Sequence, residues 1–279
     1  MRSLIRLDDW TTDDIEQVFA LAAAYRDGSG PVTEGCAVMF FPPTSLRTRV
    51  TFERGASLMG LQPIVLPSTT LDKDEALSDV AGYLANWVDI VIARHDDLEV
   101  LEALSAAGTV PVVNAMTGEN HPCEVLADLF ALRSERPLQD QRFLFVGADG
   151  NISRAWQEAA HVLGLDLVQC CPDGLQSPRA RWNGDLTTAI RSADVVLTDG
   201  PGRHAQQLEP YRVTADLLDT APVGVRLAPC PPFFRGREVS ADAVAHPAFV
   251  GHHFKEALLP VQQAVLAHCL GISGTTSAL

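Results

Sequence analysis

The segment Ser45-Leu46-Arg47-Thr48-Arg49 has the residue types best suited to bind an anion. Pro42-Pro43-Thr44 ends the apolar run before it, and Val50 to Met59 after it has a helical pattern. A helix start presents unpaired N–H groups and a positive dipole end, and both attract phosphate. The two hydroxyls add donors, and an arginine can bind phosphate through two parallel hydrogen bonds. The segment therefore predicts a phosphate site; the alternative is a helix capped by Ser45 and followed by solvated arginines.

Other polar residues with chemical potential also follow short apolar runs. In chain order they are Ser45 to Arg49 after the first run, Lys73 after the second, Arg94 after the third, His121 after the fourth, Asn151 after the fifth, Asp199 after the seventh and Cys230 after the eighth. In open parallel sheets the carboxyl ends of the strands meet along one edge, where ligands bind. We expect these side chains to lie at such edges.

The elements that must position these residues are strands alternating with helices. The predicted strands are Cys36 to Phe41, Pro63 to Leu66, Val88 to Ala93, Val110 to Asn114, Phe143 to Gly147, Leu167 to Cys170, Val195 to Thr198 and Val223 to Leu227. Amphipathic stretches between such runs are typical of βαβ units and parallel sheets. The sequence predicts an α/β protein with two open parallel-sheet domains.

A helical stretch from Leu126 to Arg142 separates the first four strands from the last four. It ends in the polar Arg133-Ser134-Glu135-Arg136-Pro137, where we place the hinge. We predict a first domain of residues 1–131 with the C-terminal helical segment 252–279, and a second domain of residues 132–251. The last apolar helix, about Ala257 to Leu270, is expected to fold back over the first domain.

Composition excludes several classes of protein. The chain has 279 residues, a formal net charge of −14 and no basic run, which argues against nucleic acid or an anionic membrane as a partner. Its six scattered cysteines form no CxxC pair, and no signal peptide precedes them, so reduced thiols in the cytoplasm are expected. The histidines show no metal-ligand spacing, and we predict neither a metal nor an organic cofactor.

The sequence resembles the aspartate and ornithine carbamoyltransferase family, whose phosphate motif reads Ser-Thr-Arg-Thr-Arg. The resemblance is carried by Ser45 to Glu53, Glu75 to Asp79, Ala93-Arg94, Val112 to Asn114, His121 to Leu129, Val146-Gly147, Tyr211 to Ala215 and Cys230 to Val239. These segments span most of the chain in the family's order. Tyr211 and Arg235-Gly236-Arg237-Glu238-Val239 favour the ornithine branch. The resemblance implies the fold of that family and transfer of a carbamoyl group from carbamoyl phosphate to an amine.

The resemblance also implies roles for the donor-site residues. Ser45, Arg47 and Thr48 would hold the phosphate together with the backbone at Leu46, while Arg94 and His121 would meet the carbonyl oxygen. Donors aimed at oxygens that gain negative charge are usually the largest catalytic contribution. The alternatives are that Arg94 is a surface arginine at a strand end and that His121 is a histidine at a helix start, neither with a role in binding.

Lys73 lies in a loop where the family has a basic residue. In the aspartate branch that loop reaches a neighbouring subunit's active site, which implies a donor-binding role for Lys73 and a homotrimer. The alternative is a solvated lysine paired with the flanking Asp72 and Asp74.

Two departures from the family affect the donor site. Leu46 replaces a threonine, which removes a hydroxyl and keeps the backbone N–H. Glu124 replaces the glutamine that receives the carbamoyl NH₂, which places a negative charge near the phosphate. That charge weakens donor binding unless Glu124 is protonated or the donor is more cationic than carbamoyl phosphate.

Further departures affect the acceptor site. Cys230 is kept without the preceding histidine and assists either proton loss or acceptor contact; alternatively it is a small buried thiol. Asn151 and Asp199 could hold an amino-acid headgroup, or they are a helix cap and a turn residue. The segment after Asp199 differs and carries Arg203; either Arg203 or Arg235 could contact a further anionic or polar part of an acceptor. Leu258 and Leu259 occupy the place of the family's basic residue in the last helix.

Three hypotheses follow. The leading one is carbamoyl transfer to the amine of a small amino acid or similar compound other than ornithine. The second is a related transferase whose donor group has changed along with Glu124. The third is a protein that binds carbamoyl phosphate without catalysis.

Overall fold

A computed structural model of the chain describes residues 2–272, which divide into two compact units. The first unit contains residues 2–131 and 255–272, and the second contains residues 132–254. The domain expected from the sequence, 1–131 with 252–279, includes residues 1 and 273–279, which lie outside the described part of the chain.

The first unit is built on a parallel sheet of four strands in the order β2-β1-β3-β4. The strands are β1 (Gly35–Phe41), β2 (Leu61–Pro67), β3 (Ile90–Arg94) and β4 (Val112–Met116). Most residues of β1, β3 and β4 are buried, as expected for a parallel sheet covered on both faces.

Helices cover this sheet. They are α1 (Thr12–Arg26), α2 (Arg47–Leu58), α3 (Leu77–Leu84), α4 (Leu98–Ala106) and α5 (Pro122–Leu132), joined by the last helix of the chain described below. Leu98, Leu101 and Leu104 of α4 are buried at helical spacing, and they pack with Val91 and Val112 in one core cluster.

The second unit contains a parallel sheet of five strands in the order β7-β6-β5-β8-β9. The strands are β5 (Arg142–Val146), β6 (Asp166–Cys170), β7 (Trp182–Asn183), β8 (Val195–Thr198) and β9 (Arg226–Pro229). The helices are α6 (Asn151–Leu163), α7 (Leu186–Ala189), α8 (Ala205–Leu208), α9 (Ala215–Asp219) and α10 (Ala241–Ala245). The chain then returns to the first unit, where α11 (Leu258–Leu270) packs against α1 and α2.

The predicted fold class, two parallel-sheet α/β domains, is confirmed. Several details were predicted wrongly, among them the last strand, which is Arg226–Pro229 rather than Val223 to Leu227. The helix α2 begins at Arg47 rather than Val50, and α5 ends at Leu132 rather than continuing to Arg142. The short edge strand β7 was not predicted.

Within residues 2–272 no helix combines the length and the hydropathy needed to cross a bilayer. In the same range no group of three or more His, Cys, Asp or Glu side chains is arranged to hold a metal ion.

Candidate active site

The start of α2 presents backbone N–H groups that no side chain caps. Leu46 is the N-cap residue, and its side chain makes no capping hydrogen bond. Ser45 and Thr48 are buried, whereas Leu46 and Arg47 are exposed. The first N–H groups of a helix have no partner within the helix, so this end suits an anion. Ser45 therefore does not cap α2, contrary to the alternative interpretation of the motif.

Arg94 connects the end of β3 to the start of α2. Its Nη1 donates a hydrogen bond to Ser45 Oγ at 3.3 Å, which joins residues 49 positions apart in sequence. Burial and the nearby Arg47 lower the pKa of Arg94, while Asp96 and Glu124 oppose this, and a guanidinium stays charged at neutral pH. Two cationic side chains and a buried hydroxyl thus meet at one helix end.

Arg49, the other arginine of the motif, is engaged elsewhere on the same helix. Its Nε contacts Glu53 Oε1, one turn further along α2. Arg47 is therefore the motif arginine that interacts electrostatically with Arg94 and with Glu124.

His121 is buried immediately before the first residue of α5. Burial, together with the positive charges of Arg94 and Lys255, lowers its pKa to about 4 against the opposing effect of Glu124. The ring is therefore neutral at pH 7, with one nitrogen that carries a proton. Its Nδ1 is buried and has no hydrogen-bond partner among residues 2–272. A neutral, buried imidazole can donate a hydrogen bond to a carbonyl oxygen without bringing a charge of its own.

Glu124 lies one turn beyond His121 and is also buried. Its Oε1 accepts a hydrogen bond from Lys255 Nζ at 2.7 Å, and its Oε2 lies 3.9 Å from His121 Nε2. Burial raises the pKa of Glu124, but Lys255, His121 and Arg47 outweigh it, and the pKa is lowered. The carboxyl group is therefore ionised and paired within the first unit.

Lys255 also contacts Asp128, one further turn along α5. Neither Lys255 nor Asp128 was among the predicted site residues. The sequence feature that could have pointed to Lys255 is the rarity of lysine, since Lys73 and Lys255 are the two lysines of the sequence.

Lys73 lies in an exposed bend before α3. Within the described chain no ion pair joins it to Asp72 or Asp74, and Asp72 Oδ1 is instead 2.8 Å from His95 Nε2. Within residues 2–272, no hydrogen bond or ion pair joins Lys73 to the residues at the start of α2.

In the second unit, the predicted acceptor residues follow three adjacent strands. Asn151 begins α6 after β5, Asp199 follows β8 and Cys230 follows β9. The backbone N–H of Cys230 donates to Thr198 O at 2.8 Å, which holds the ends of β8 and β9 together. Gly150, rather than Asn151, is the N-cap of α6. These three residues therefore lie at the carboxyl edge of the sheet, where ligands of open parallel sheets bind.

The local contacts of these residues differ. Asp199 Oδ1 accepts from the backbone N–H of Gly200 at 2.8 Å, and Cys230 is buried with its Sγ 3.9 Å from Pro231 O. Arg203 is exposed in a short 3₁₀ turn, where its Nε donates to His204 Nε2 at 3.1 Å. Arg203 is therefore on the surface of the second unit.

Both units match descriptions of one protein family. Residues 2–134 match the aspartate/ornithine carbamoyltransferase carbamoyl-P binding domain. Residues 139–269 match the aspartate/ornithine carbamoyltransferase Asp/Orn binding domain. The two matches together cover most of the chain, and the second extends past the second unit to include most of α11, which belongs to the first unit.

Individual proteins agree with these matches. The chain is 29% identical to the ornithine carbamoyltransferase of Geobacter metallireducens over 300 residues, covering 96% of this chain and 99% of that protein. It is 30% identical to that of Rhodopseudomonas palustris over 301 residues, covering 97% of each. The solved ornithine carbamoyltransferase from Pyrococcus furiosus superposes with a TM-score of 0.89 at 27% identity, covering 97% of both chains. The resemblance seen in the sequence is thereby confirmed, and the chain belongs to the aspartate/ornithine carbamoyltransferase family of transferases.

Proposed function

We propose that this chain transfers the carbamoyl group of carbamoyl phosphate to the amine of a small amino acid, or an amino-acid-like compound, other than ornithine. The observation that carries the proposal is the contact between Arg94 and Ser45 at the uncapped start of α2. It brings a charged guanidinium and a buried hydroxyl to a helix end that attracts phosphate.

In the proposed reaction the neutral amine attacks the carbamoyl carbon and the bond from that carbon to the phosphate oxygen breaks. The proton that the amine loses ends on the departing phosphate. Negative charge develops on the carbonyl oxygen and on the departing phosphate. Arg47, Thr48 and the N–H groups of α2 are assigned to the phosphate. Arg94 and neutral His121 are assigned to the carbonyl oxygen, since donors directed at these oxygens favour the transition state.

The proposal for the acceptor rests on the second unit. Asn151, Asp199 and Cys230 follow adjacent strands and offer an amide, a carboxylate and a thiol at one sheet edge. The carboxylate of Asp199 suits the ammonium of an amino acid. The segment that follows Asp199 carries Arg203, whose positive charge suits an anionic group of the acceptor. The segment after Asp199 differs from that of the ornithine branch, whereas Asn151 and Asp199 can still hold an amino-acid headgroup. This combination favours an acceptor that resembles ornithine but is a different compound.

The alternative of a more cationic donor was motivated by the negative charge of Glu124. Lys255 supplies a counter-charge to that carboxylate within the first unit. The ion pair therefore reduces the electrostatic reason for a changed donor and favours carbamoyl phosphate itself, even though Lys255 is shared with Asp128.

We also propose that the protein acts as a homotrimer in the cytoplasm. Apolar side chains at the start of α2 are exposed, with Leu46 at 67% and Val50 at 55%, and a neighbouring subunit would cover them. Lys73 lies in an exposed bend of the same unit, from which it could reach that neighbour. The six cysteines are free, as expected in a reducing compartment. Light scattering that gives the mass of a single chain would contradict the trimer.

The acceptor is tested by competition. The protein is mixed with carbamoyl phosphate labelled at the carbonyl carbon and with equal concentrations of ornithine, shorter and longer diamino acids, and simple amines. We expect the label mainly in the ureido product of an amine other than ornithine, identified by mass. Label mainly in the ornithine product would contradict the proposed acceptor and leave carbamoyl transfer intact. Label in no ureido product would contradict the transfer itself and favour binding without catalysis.

A further inference from the structure

Two buried carboxylates share one lysine at the donor site. Glu124 and Asp128 are four residues apart on α5 and therefore project from the same face of the helix. Both contact Lys255 Nζ, and Lys255 comes from the turn His252–Ala257, just before α11. Its side chain is only 16% exposed. The three charges therefore meet largely out of contact with water.

The lysine is needed to keep this arrangement ionised. An ionised carboxylate without a partner is unstable in a buried position, and two that are close together repel each other. Burial and Glu124 raise the pKa of Asp128 to about 6 even though Lys255 lowers it. The pKa of Glu124 is instead lowered, with Lys255 as the largest opposing effect to burial. Lys255 thus sustains the charge on Glu124 in particular.

The two oxygens of Glu124 have different surroundings. Oε1 is bound by Lys255 at 2.7 Å, whereas Oε2 faces His121 Nε2 at 3.9 Å. That distance is too long for a hydrogen bond, so Oε2 remains an acceptor directed toward the side chain assigned to the carbonyl oxygen. The NH₂ of carbamoyl phosphate is bonded to the carbon that bears this oxygen.

We infer that Lys255 is a positioning residue of the donor site, which fixes Glu124 through Oε1 so that Oε2 accepts a hydrogen bond from the NH₂ of carbamoyl phosphate. This inference rests on the proposed carbamoyl transfer. Lys255 offsets part of the negative charge that Glu124 and Asp128 would otherwise direct at the phosphate. Within the Glu124–Lys255 pair the carboxylate can then accept a hydrogen bond as the oxygen of a neutral amide would. Donor binding therefore depends on a residue that lies 131 positions from Glu124.

The test is a double-mutant cycle read by calorimetry with carbamoyl phosphate and by steady-state kinetics. Lys255→Met leaves Glu124 without a counter-charge, and we expect donor affinity and kcat/KM for the donor to fall at least about 30-fold. Glu124→Gln needs no counter-charge, so adding Lys255→Met to Glu124→Gln should change donor affinity by less than about threefold. Lys255→Arg keeps the charge and should recover much of the loss.

A pH profile separates this role from a purely structural one. Glu124 is surrounded by Lys255, Asp128, His121, Arg47 and Arg94. In Lys255→Met the pKa of Glu124 rises, so lowering the pH protonates it and removes the repulsion of the phosphate. The ratio of donor affinity at pH 5.5 to that at pH 7.5 should therefore be higher in Lys255→Met than in the wild type, and Glu124→Gln should abolish this difference.

Two controls complete the design. Arg54→Met removes an exposed charge from α2 and should leave donor affinity unchanged. Asp128→Asn leaves the Glu124–Lys255 pair intact and should cost far less donor affinity than Lys255→Met. If Asp128→Asn and Lys255→Met were equally damaging, Lys255 would act only as the counter-ion of Asp128.

The remaining outcomes each decide the matter. The inference would be overturned if the losses of donor affinity in the two single variants multiplied in Glu124→Gln/Lys255→Met. It would also be overturned if Lys255→Met had a lower melting temperature but bound the donor with normal affinity. If Lys255→Met does not fold, Lys255→Arg and the double variant still decide, because the pairing predicts that both bind the donor. Wild-type protein that binds no carbamoyl phosphate would contradict the proposed function, whereas normal binding by both wild type and Lys255→Met would contradict the inference alone.

Discussion

At the scale of single residues, the protonation state of His121 governs what the proposed donor site can do. The ring is buried among the positive charges of Arg94 and Lys255, and its pKa is lowered to about 4. A histidine with this pKa stays neutral throughout the physiological range. It then acts as a hydrogen-bond donor and not as a source of charge.

This state makes the stability of the first unit depend on pH. The unfolded chain binds a proton on His121 below about pH 6.5, whereas the folded chain does so only below about pH 4. The contribution of His121 is therefore complete above pH 6.5 and is lost as the pH falls toward 4. We expect His121→Gln, which keeps an N–H donor, to reduce the loss of stability between pH 7 and pH 4.5 by about 2 to 3 kcal/mol.

Hydrogen exchange of the buried amides of β3 and β4 at several pH values measures this change. Identical pH dependence in wild type and His121→Gln would contradict a lowered pKa for His121.

The site residues differ in how far the sequence could predict them. Ser45, Arg94 and His121 follow apolar runs that are easily recognised as strands, so their positions at one sheet edge could be expected. The pairing of Lys255 with Glu124 could not, because it depends on how the end of the chain packs on α5. The sequence showed a negative charge at Glu124 near the phosphate, but it did not show that a lysine of the protein offsets it.

At the scale of elements, close packing against α11 holds α2 in place. Gly55 lies on the face of α2 that packs against α11, and its carbonyl accepts a hydrogen bond from Gln263 Nε2 at 3.4 Å. A Cβ at Gly55 would meet Gln263 Cγ at 3.1 Å and Leu259 Cδ1 at 3.5 Å. The missing side chain allows the two helices to approach.

A larger residue at this contact should separate the helices. We expect Gly55→Leu to lower the free energy of unfolding by about 1 to 3 kcal/mol through overpacking, and to weaken donor binding as α2 moves. Gly82 in α3 is a matched control, since a Cβ there meets no atom within 4 Å. Gly82→Leu should be neutral or stabilising, because leucine is the better helix former. Equal stability of the two variants in chemical denaturation would contradict this account of the packing.

The strands were predicted more accurately than the helix ends. Buried parallel strands are continuous apolar runs, so β1 and β8 are apparent from the sequence alone. The two-residue strand β7 has no such run and forms by pairing with β6 at the sheet edge. The helix α5 ends at Leu132, before the polar residues 133–137, and a separate 3₁₀ turn, Leu138–Asp140, follows. The helical periodicity predicted from Leu126 to Arg142 therefore came from two separate elements, α5 and this 3₁₀ turn.

At the scale of the whole molecule, the two units differ in how the chain builds them. The second unit is continuous, residues 132–254, and has its own hydrophobic cluster. The first unit is completed by the C-terminal segment, and α11 supplies it with a nearly continuous buried surface from Leu258 to Cys269.

This difference predicts the behaviour of fragments. Residues 132–254 should fold alone and unfold cooperatively on heating. Residues 1–131 should not, because without α11 the faces of α1 and α2 lose the apolar partners that stabilise them, each buried leucine or valine contributing about 1.5 to 3 kcal/mol. Circular dichroism and thermal melting of the two fragments give the answer. A cooperative transition in fragment 1–131 would show that α11 is dispensable.

The formal net charge of −14 means that the protein as a whole repels an anionic donor. Binding of carbamoyl phosphate must then depend on the few positive groups at the donor site. We expect donor affinity to depend most strongly on Arg47, because it lies at the start of α2 with its side chain exposed to an incoming anion.

Calorimetry with carbamoyl phosphate on Arg47→Ala and Arg54→Ala tests the donor site most directly. Both arginines are exposed on α2, but Arg54 lies two turns further from the helix start. Loss of a charge-assisted phosphate contact is worth about 2 to 5 kcal/mol, so Arg47→Ala should weaken donor binding at least about 30-fold with little effect on folding. Arg54→Ala should bind the donor as the wild type does. Equal donor affinity in the two variants would contradict the phosphate site at α2, and with it the carbamoyl transfer proposed for this chain.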